Sequence, residues 1–404
     1  MPHAFPTPVR ASTGARQSSI REANLALATR TVLASPTPLS RAGVAAATGM
    51  TRATAARLVD ELVAGGILAE QEQEAAQGRG RPARPLAAGG AIAAVGLQAG
   101  VTFLAGRVVG LSGDVLAERR EPGDFRDSDP GPVLERLDAL AADLVARVPS
   151  GTRLVGAGLA LPGIVSADTG TLLVAPNLGW SDVRPADLMT RTARAGLSLR
   201  VGNEADLAAR AVAEASPGRP GPWPDFVYLS GEIGLGGAAV LDGSVLAGRH
   251  GWAGEIGHVC VDPDGPPCRC GSTGCLEQYA GRGALLAAAG LPVDHPLTDL
   301  ADRAGAGDPA AERALDRAAR ALGIALAGAV NILDIPVVLL GGHLADVADR
   351  LLPPLREHLR RRVLSGRWVT PRVEACPAGP APGAAGAALL ELAGVVADPA
   401  RWLR

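Results

Sequence analysis

One histidine and three cysteines stand close together within residues 251–281 of the sequence. His258 precedes Cys268 by ten positions, and Cys270 and Cys275 follow at short intervals. Thiolates and imidazole are ligands that Zn²⁺ prefers, usually four of them in a tetrahedron. The spacing therefore predicts a structural zinc site formed by these four side chains. The alternative is a cluster of free thiols beside an unrelated histidine.

The string around these residues, GHVCVDPDGPPCRCGSTGCLE, resembles the signature of the ROK family (repressor, open reading frame, kinase). That family contains bacterial sugar kinases and sugar-responsive transcriptional repressors, and the resemblance extends over the chain from about Arg21 onward. It implies an α/β fold of the duplicated actin-like ATPase (ribonuclease H-like) type, with two lobes and a cleft between them. In the repressor branch, a winged helix-turn-helix precedes the lobes.

The resemblance also implies a sugar-binding site in the cleft. Its expected hydroxyl ligands are Asn203, Glu204, Glu255, His258 and Glu277. His258 would bind zinc through one ring nitrogen and face the sugar with the other, so that the metal fixes the orientation of the ring. Further cleft residues are expected to be Pro162, Gly163 and Asn177. The alternatives are solvated surface charge for the glutamates and a helix cap for Asn203.

One departure from the kinase pattern lies in the first phosphate loop. ROK kinases carry an Asp-x-Gly-Gly-Thr-Lys turn that surrounds the ATP phosphates, and the corresponding string here is QAGVTF. Gln98 stands in place of the Asp, Val101 in place of the second Gly, and Phe103 in place of the Lys. Both the space and the positive charge that phosphates require are therefore reduced.

Two further departures concern the general base and the second phosphate loop. Glu204 stands where the kinases have Asp, and its extra methylene moves the carboxylate by about 1 Å, which is costly for a positioned base. Ile233 stands where a Thr usually precedes Gly-x-Gly, and Glu232 adds negative charge near the expected phosphate. We therefore expect no catalytic residues and no kinase activity. The alternative is sequence drift around a site that is still active.

Charge is distributed unevenly along the 404 residues, whose formal net charge is −2. Residues 1–90 carry ten arginines and six acidic residues, whereas the remainder carries 29 arginines and 35 acidic residues. A basic N-terminal segment on an acidic body indicates an anionic partner for that segment. The five cysteines do not suggest a disulfide framework, and Cys260 and Cys376 are expected in the core.

The basic N-terminal segment has the pattern of a helix-turn-helix. After a first helix from Arg21 to about Ser35, Ser40 and Thr51 are suitable N-caps for two short helices separated by a turn at Gly49. The last of these is the expected recognition helix, which contacts DNA near its start. The predicted DNA-binding residues of this region are Ser40, Thr51, Arg52, Thr54 and Arg57.

A β-wing is expected after the recognition helix, opened by a strand at Ile67 and Leu68. Its tip carries the string RGRP, which suits insertion into a narrow AT-rich minor groove, and Arg79 and Arg81 are the predicted contacts. Operator DNA is therefore the expected partner of this domain. A small helical bundle used for dimerisation is the alternative.

From Ala91 onward the pattern changes to α/β. Residues 91–120 are predicted as two strands with a hairpin at 111–114, followed by a helix at about 132–148 and a strand at 154–161. The order β-β-α-β-α recurs from Phe226, which fits two duplicated lobes. The apolar run 322–344 is interrupted by polar residues and Pro336, and is predicted as a buried helix and strand, not as a membrane span.

The expected domains are a disordered tail at 1–18, a winged helix-turn-helix at 19–88, a first lobe at 91–204, a second lobe with the zinc motif at 205–382, and a C-terminal helix at 383–404 that returns to the first lobe. The N-terminus has no apolar signal-peptide region. We therefore expect a cytoplasmic protein with no membrane partner.

Together the patterns predict a sugar-responsive, DNA-binding transcriptional repressor of genes for carbohydrate uptake or catabolism. A homodimer, or alternatively a tetramer, would bind a palindromic operator with AT-rich flanks, and a sugar or sugar derivative in the cleft would change operator affinity. Zn²⁺ is the expected cofactor. Two other functions stay open: an active ROK sugar kinase that phosphorylates a hexose and carries a DNA-binding domain, and a DNA-binding protein whose body is only a dimerisation scaffold.

Overall fold

The computed structural model describes residues 17–71, 84–376 and 379–403. The chain divides into two compact units. The first unit comprises Met1–Gly89 together with Gly394–Arg404, and the second comprises Gly90–Ala393. The tail predicted at 1–18 lies outside the described residues except for its last two positions, where the first helix has already begun.

Three helices and a two-stranded antiparallel sheet form the first unit: α1 Gln17–Ala34, α2 Arg41–Thr48, α3 Arg52–Ala64, β1 Leu68–Glu70 and β2 Leu86–Ala88. Helices α2 and α3 begin at the predicted residues, whereas α1 begins at Gln17, four residues before the predicted start at Arg21. The Ser40 side chain caps α2 by accepting a hydrogen bond from the Gly43 N–H, and Gly49 ends that helix with a φ of 71°. Thr51 caps α3 in the same way through the Thr54 N–H. This order of elements is a winged helix-turn-helix.

Apolar side chains from all three helices pack together in the core of the first unit. They include Leu25, Val44, Leu58 and Leu62. The C-terminal residues join this packing, since the 3-10 helix Pro399–Trp402 contacts α1. Leu403 lies so close to Gly65, directly after α3, that a Cβ on the glycine would overlap it. The end of the chain is thus part of the same compact unit as the helix-turn-helix.

The tip of the wing lies between the described segments, because residues 72–83 are outside them. The predicted contacts Arg79 and Arg81 therefore also lie outside the described residues. On the part of the wing that is described, Glu70 accepts ion-paired hydrogen bonds from Arg41 and Arg84 at 2.5 and 2.6 Å.

Two five-stranded sheets form the framework of the second unit. The strands of the first sheet are β3 Ile92–Ala99, β4 Phe103–Gly110, β5 Val115–Pro122, β6 Arg153–Leu161 and β10 Leu199–Asn203, in the spatial order β10-β6-β3-β4-β5. Those of the second sheet are β13 Phe226–Gly231, β14 Leu235–Leu241, β15 Ser244–Val245, β16 Val337–Gly342 and β17 Arg372–Ala375, in the order β15-β14-β13-β16-β17.

The two sheets repeat one topology. In each, the central strand pairs antiparallel with the strand that follows it and parallel with a later strand. The predicted duplication is confirmed, but its unit is longer than β-β-α-β-α. Residues 91–120 contain three strands and not two, because the chain also reverses at residues 100–102, where the Gly100 N–H bonds to the Phe103 carbonyl.

Smaller strands and the helices complete the second unit. The remaining strands are β7 Ile164–Val165, β8 Leu172–Ala175, β9 Trp180–Val183, β11 Glu214–Ser216 and β12 Arg219–Pro220. The helices are α4 Pro130–Val145, α5 Pro185–Leu188, α6 Thr190–Arg194, α7 Glu204–Ala213, α8 Glu277–Ala280, α9 Arg282–Ala288, α10 Leu297–Gly305, α11 Pro309–Leu333, α12 His343–Asp346, α13 Ala348–Arg362 and α14 Pro382–Ala397.

Two of these helices bear directly on the predictions. The run 322–344 is a helix followed by a buried strand, as expected, but the helix is largely buried only as far as Val330, and Ile332 is 83% exposed. Asp334 ends α11 in the left-handed conformation with a φ of 56°. α14 spans Pro382–Ala397, and its first half packs against β3 and β6. No helix among the described residues is both long enough and apolar enough to cross a membrane.

Candidate functional site

A single pocket in the second unit brings together all five residues predicted to bind a sugar. Asn203 and Glu204 stand where β10 ends and α7 begins, and Glu277 begins α8. Glu255 and His258 come from the 3-10 helix Ile256–His258 and the residue before it. The other residues expected in the cleft also line this pocket: Pro162, Gly163 and Asn177. The side chains come from both halves of the duplicated fold, so neither sheet alone forms the site.

Asn203 has a structural role in this pocket. Its Oδ1 accepts hydrogen bonds from the N–H groups of Ala205 and Asp206, which caps α7. Its Nδ2 donates to the Gly163 carbonyl at 2.9 Å. Asn203 is therefore the helix cap given as an alternative, and it lines the pocket at the same time.

Glu204 is held by a residue that the sequence pattern did not connect to it. Gln98, which is fully buried, donates from Nε2 to Glu204 Oε1 at 2.8 Å. Burial and the nearby carboxyl group of Glu232 raise the pKa of Glu204 to about 8, against the effect of the hydrogen bond from Gln98. A carboxyl group with such a pKa is largely protonated near neutral pH, so it can donate a hydrogen bond as well as accept one.

The other carboxyl groups of the pocket are also partly removed from water. Glu277 accepts a hydrogen bond from the Leu235 N–H at 3.0 Å, which fixes its position. Burial raises the pKa of Glu255. Asp206, in the first turn of α7, is not among the pocket-lining residues; its Oδ1 is buried and unpartnered, and burial together with Glu255 raises its pKa to about 7. Asp206 was missed in the sequence, where it gives no signal beyond its place in the first turn of α7.

Glu232 occupies the loop in which the kinase pattern places phosphates. Its Oε2 accepts a hydrogen bond from the Val101 N–H at 2.9 Å. Its Oε1 accepts hydrogen bonds from both the N–H and the hydroxyl group of Thr102. Successive backbone N–H groups in a turn form an anion-binding concavity. Here that concavity holds a carboxylate of the chain itself, and the sequence pattern had indicated only extra negative charge nearby.

A second and larger cavity, of about 740 Å³, lies beside this loop. Among its lining residues are Thr102, Phe103, Arg120, Glu232 and Gly342. Phe103 is buried, and the guanidinium group of Arg120 stacks over its ring at 4.1 Å. Gly342 forms the turn from β16 into α12. The cavity is large, but the turn beside it, where the kinase pattern places phosphates, is already occupied by the side chain of Glu232.

The four predicted metal ligands lie in one cluster, with one ligand atom of each within 4.8 Å of the others. His258 Nδ1 is 3.9 Å from Cys268 Sγ, and the Sγ atoms of Cys270 and Cys275 are 3.7 Å apart. Two thiolates on a tetrahedral zinc ion lie about 3.8 Å apart when each Zn–S bond is about 2.3 Å. Burial and the neighbouring thiols raise the pKa of Cys275, and a bound cation would lower it.

The two remaining cysteines differ from each other. Cys376 is buried, as expected for a small apolar side chain. Cys260 is exposed, so its predicted place in the core is wrong. Its backbone pairs with that of Cys275 in an isolated β-bridge, and this hairpin buries the thiol of Cys275 while that of Cys260 faces solvent.

Comparison with known proteins agrees with this geometry. The ROK family model matches residues 94–393 of the chain. The chain belongs to the ROK family. It is 30% identical to the putative xylose repressor of Caldicellulosiruptor sp. strain Rt8B.4 over 374 residues, which cover 88% of this chain and 92% of that protein.

Two solved ROK structures differ in how much of the chain they match. One is a ROK family transcriptional regulator described as a homolog of the E. coli MLC protein, with a TM-score of 0.76, 25% identity, and coverage of 95% of this chain and 99% of that one. The other is a ROK family glucokinase from Streptomyces griseus in complex with glucose and AMPPNP, with a TM-score of 0.61 and 29% identity. The glucokinase match covers 98% of that chain but only 74% of this one.

The first unit of this ROK protein places most of the predicted DNA-binding residues around the start of α3. Thr51, Arg52 and Arg57 are exposed, and Thr54 is half-buried. Ser40 lies at the start of α2, where its side chain serves as the cap. Arg57 also donates to Glu61 at 2.8 Å one turn later, so part of its charge is neutralised within the helix.

Proposed function

We propose that this ROK protein is a sugar-responsive transcriptional repressor. The observation that carries the proposal is a kinase-type pocket whose phosphate loop is filled by Glu232, in a chain that also has a winged helix-turn-helix. The relatives support it, because a xylose repressor and a transcriptional regulator match nearly the whole chain. A repressor acts where its operator is, so we infer a cytoplasmic protein.

Absence of kinase activity is part of the proposal. Phosphoryl transfer depends on donors and cations placed around the transferred group. In this chain the N–H groups of Val101 and Thr102 are hydrogen-bonded to Glu232. Beside them, the guanidinium group of Arg120 stacks on the ring of Phe103. Glu204 stands in place of the expected aspartate base. An incoming phosphate would have to displace a carboxylate from its own hydrogen bonds and then lie close to its charge.

The proposed effector is a sugar or sugar derivative that binds in the pocket. Glu204 and Glu255 offer carboxyl groups with raised pKa values, and Glu277 offers one that is held in place by the Leu235 N–H. His258 adds an imidazole. Several such groups around a polar pocket suit a ligand rich in hydroxyl groups. We propose that the pocket closes around this ligand and that closure weakens operator binding, with a coupling of about 1–3 kcal/mol.

Zn²⁺ is the proposed resident metal, held by His258, Cys268, Cys270 and Cys275. The donor set and its spacings fit a closed structural site. Bound zinc would hold the loop that carries His258 and Glu255 in one conformation. His258 belongs to both the cluster and the pocket lining. A bond from one of its ring nitrogens to the metal would therefore fix the orientation of the ring in the pocket.

Operator DNA is the proposed partner of the first unit. The start of α3 would enter a major groove, with Ser40, Thr51, Arg52, Thr54 and Arg57 near base edges and phosphates, while Arg79 and Arg81 of the wing would enter an AT-rich minor groove. A homodimer would place two such helices in successive major grooves of a palindrome, about 34–36 Å apart.

Titration of the purified protein into DNA from its own upstream region tests this proposal. We expect binding that is specific and weakens steeply with salt, as phosphate contacts require. A coupled assay of ATP turnover with a panel of hexoses tests the kinase alternative, and we expect no turnover. Turnover without specific DNA binding would replace the proposal by a sugar kinase. DNA binding with no sugar-dependent thermal shift would leave the second unit as a dimerisation scaffold.

A further inference from the structure

The side chain of Gln98 connects the pocket to the C-terminal helix. It is fully buried in β3. Its Nε2 donates to Glu204 Oε1 at 2.8 Å, and its Oε1 accepts from the N–H of Ala384, in the first turn of α14, at 3.2 Å. One amide group thus holds a pocket carboxyl group with one end and the start of a helix with the other.

An amide is the chemical group that suits this position. It donates and accepts at a fixed separation, which neither a carboxylate nor an apolar chain can do. The N–H groups in the first turn of a helix have no partner within that helix, so the Ala384 N–H needs an external acceptor. A glutamate in its carboxylate form could not donate to Glu204 Oε1 and would add a second ionisable group beside it, and a methionine would leave both partners without their hydrogen bonds.

The surroundings of α14 leave little room for it to move independently. A Cβ on Gly96 of β3 would overlap the Ala384 carbonyl, and a Cβ on Gly386 would overlap the Leu207 carbonyl of α7. α7 is the helix that begins with Glu204. Because protein interiors are close-packed, a displacement of the first turn of α7 is passed on to α14.

The helix continues into the first unit. α14 runs to Ala397, and the chain from Gly394 onward belongs to the first unit. Within that unit, the 3-10 helix Pro399–Trp402 contacts α1, and Leu403 packs on Gly65 directly after α3. The polypeptide therefore leads without interruption from the partner of Gln98 to the residues that support the helix-turn-helix.

We propose that Gln98 is the coupling residue that reports occupation of the pocket to α14. A hydroxyl group that binds Glu204 must redirect its carboxyl group, and because Gln98 holds Oε1 of that group, the same movement acts on the hydrogen bond to Ala384. The start of α14 loosens, and its C-terminal end shifts the support of the helix-turn-helix. This inference rests on the proposed function, since it assigns the route between effector and operator.

The test is hydrogen–deuterium exchange on the full-length protein, with D-xylose and D-glucose as probes. In the wild type we expect sugar to increase exchange in a peptide that covers residues 381–390. In Gln98→Met, sugar binding by thermal shift should persist, but the change in exchange should disappear. Release of operator DNA by sugar should fall from roughly tenfold or more to less than about threefold. Operator affinity without sugar should stay within about twofold.

Arg200→Gln is the matched control. Arg200 anchors α14 through Glu391 at 2.6 Å and is not among the described residues that line the pocket. It should lower the melting temperature while keeping the sugar-dependent release. Should Gln98→Met fail to fold, Gln98→Asn, which is too short to reach both partners, takes its place with the same expected result.

The outcomes separate the inference from the proposed function. A wild type that binds sugar with unchanged exchange in α14, or a Gln98 variant that responds like the wild type, would overturn the role of Gln98. Altered exchange in α14 without any operator binding would leave the coupling in place and refute the repressor. If no member of a wider panel of sugars and sugar derivatives binds the wild type, both the effector site and the role of Gln98 are refuted.

Discussion

Two buried carboxyl groups, those of Glu204 and Asp206, should make the stability of the protein depend on pH. Burial and Glu232 raise the pKa of Glu204 to about 8 from an ordinary value of 4.5, and burial with Glu255 raises that of Asp206 to about 7 from 3.8. A group whose pKa is raised on folding binds its proton more tightly in the folded state. Its contribution to stability is therefore complete below the unfolded pKa and is lost as the pH rises through the folded pKa.

Glu204→Gln tests this directly. An amide keeps the carbonyl oxygen that accepts from Gln98 but has no proton to lose, so the variant should resemble the wild type near pH 4 to 5. At pH 8 its melting temperature should exceed that of the wild type by roughly 2–4 °C. Asp206 still titrates in the variant, so the pH slope should shrink but not vanish. Glu118→Gln, at an exposed ion pair with Arg107, is the control. Parallel melting curves for the wild type and Glu204→Gln would contradict the raised pKa.

Glu232 is predicted to stabilise the protein by filling the phosphate loop. Glu232→Ala removes an acceptor from three donors on Val101 and Thr102. Hydrogen bonds to a charged group contribute about 1.5–3 kcal/mol each, so the loss of all three should lower the melting temperature by about 10 °C or more. Glu118→Ala, which breaks a surface ion pair, should change it by about 2 °C or less. ATP turnover should remain absent, because Gln98 and Phe103 are unchanged; a variant that gains turnover would contradict our account of the loop.

The sequence was sufficient to identify the residues that depart from the kinase pattern, but it did not predict which residues they contact. The pattern identified Gln98, Glu204 and Glu232 as departures from a kinase. It did not indicate that Gln98 and Glu204 bond to each other across 106 positions, or that Glu232 enters a turn 130 positions earlier. Such contacts depend on how the two sheets bring their loops together, and no local pattern encodes that placement.

At the scale of elements, the metal loop should depend on its ion. Cys268→Ser should reduce the bound zinc from about one ion per chain to near zero, because closed structural sites need all four ligands. The sugar-dependent thermal shift should fall with it, since His258 and Glu255 lie in the same loop. Elemental analysis by mass spectrometry measures the first effect. Cys260→Ser, in the same loop but outside the cluster, is the control. A metal-free Cys268→Ser protein with a full sugar response would refute the role of zinc.

The start of α3 should govern DNA affinity. Arg52 is exposed in the first turn of the recognition helix, so Arg52→Ala should weaken operator binding by about tenfold. If Arg52 contacts a phosphate, the slope of log affinity against log salt should also decrease by about one. Arg30→Ala, at an exposed site on α1, removes the same charge elsewhere in the unit and should have little effect. Equal losses for both variants would indicate a general charge effect and not a recognition helix.

Elements with strong local signals were predicted well. The caps at Ser40 and Thr51 and the left-handed turn at Gly49 each depend on residues within a few positions of each other. The third strand of the first sheet was missed, because a turn at residues 100–102 lacks the usual two-residue hairpin signature and the apolar run continues through it.

In the repressor that we propose, a helix-turn-helix unit binds the operator and a unit with two sheets binds the effector. The two functions need not share contacts, because reciprocity of binding requires only that each ligand favours a different state of the protein. One connection between the units is α14, which packs on the first sheet and whose last residues belong to the first unit.

The most direct test of the repressor is fluorescence anisotropy of labelled upstream DNA titrated with the full-length protein, with and without D-xylose, D-glucose and further aldoses. We predict tight, salt-sensitive binding in the absence of sugar and at least fivefold weaker binding with one aldose, roughly the lower end of usual allosteric couplings. Specific binding that no aldose alters, or no specific binding at all, would contradict the account.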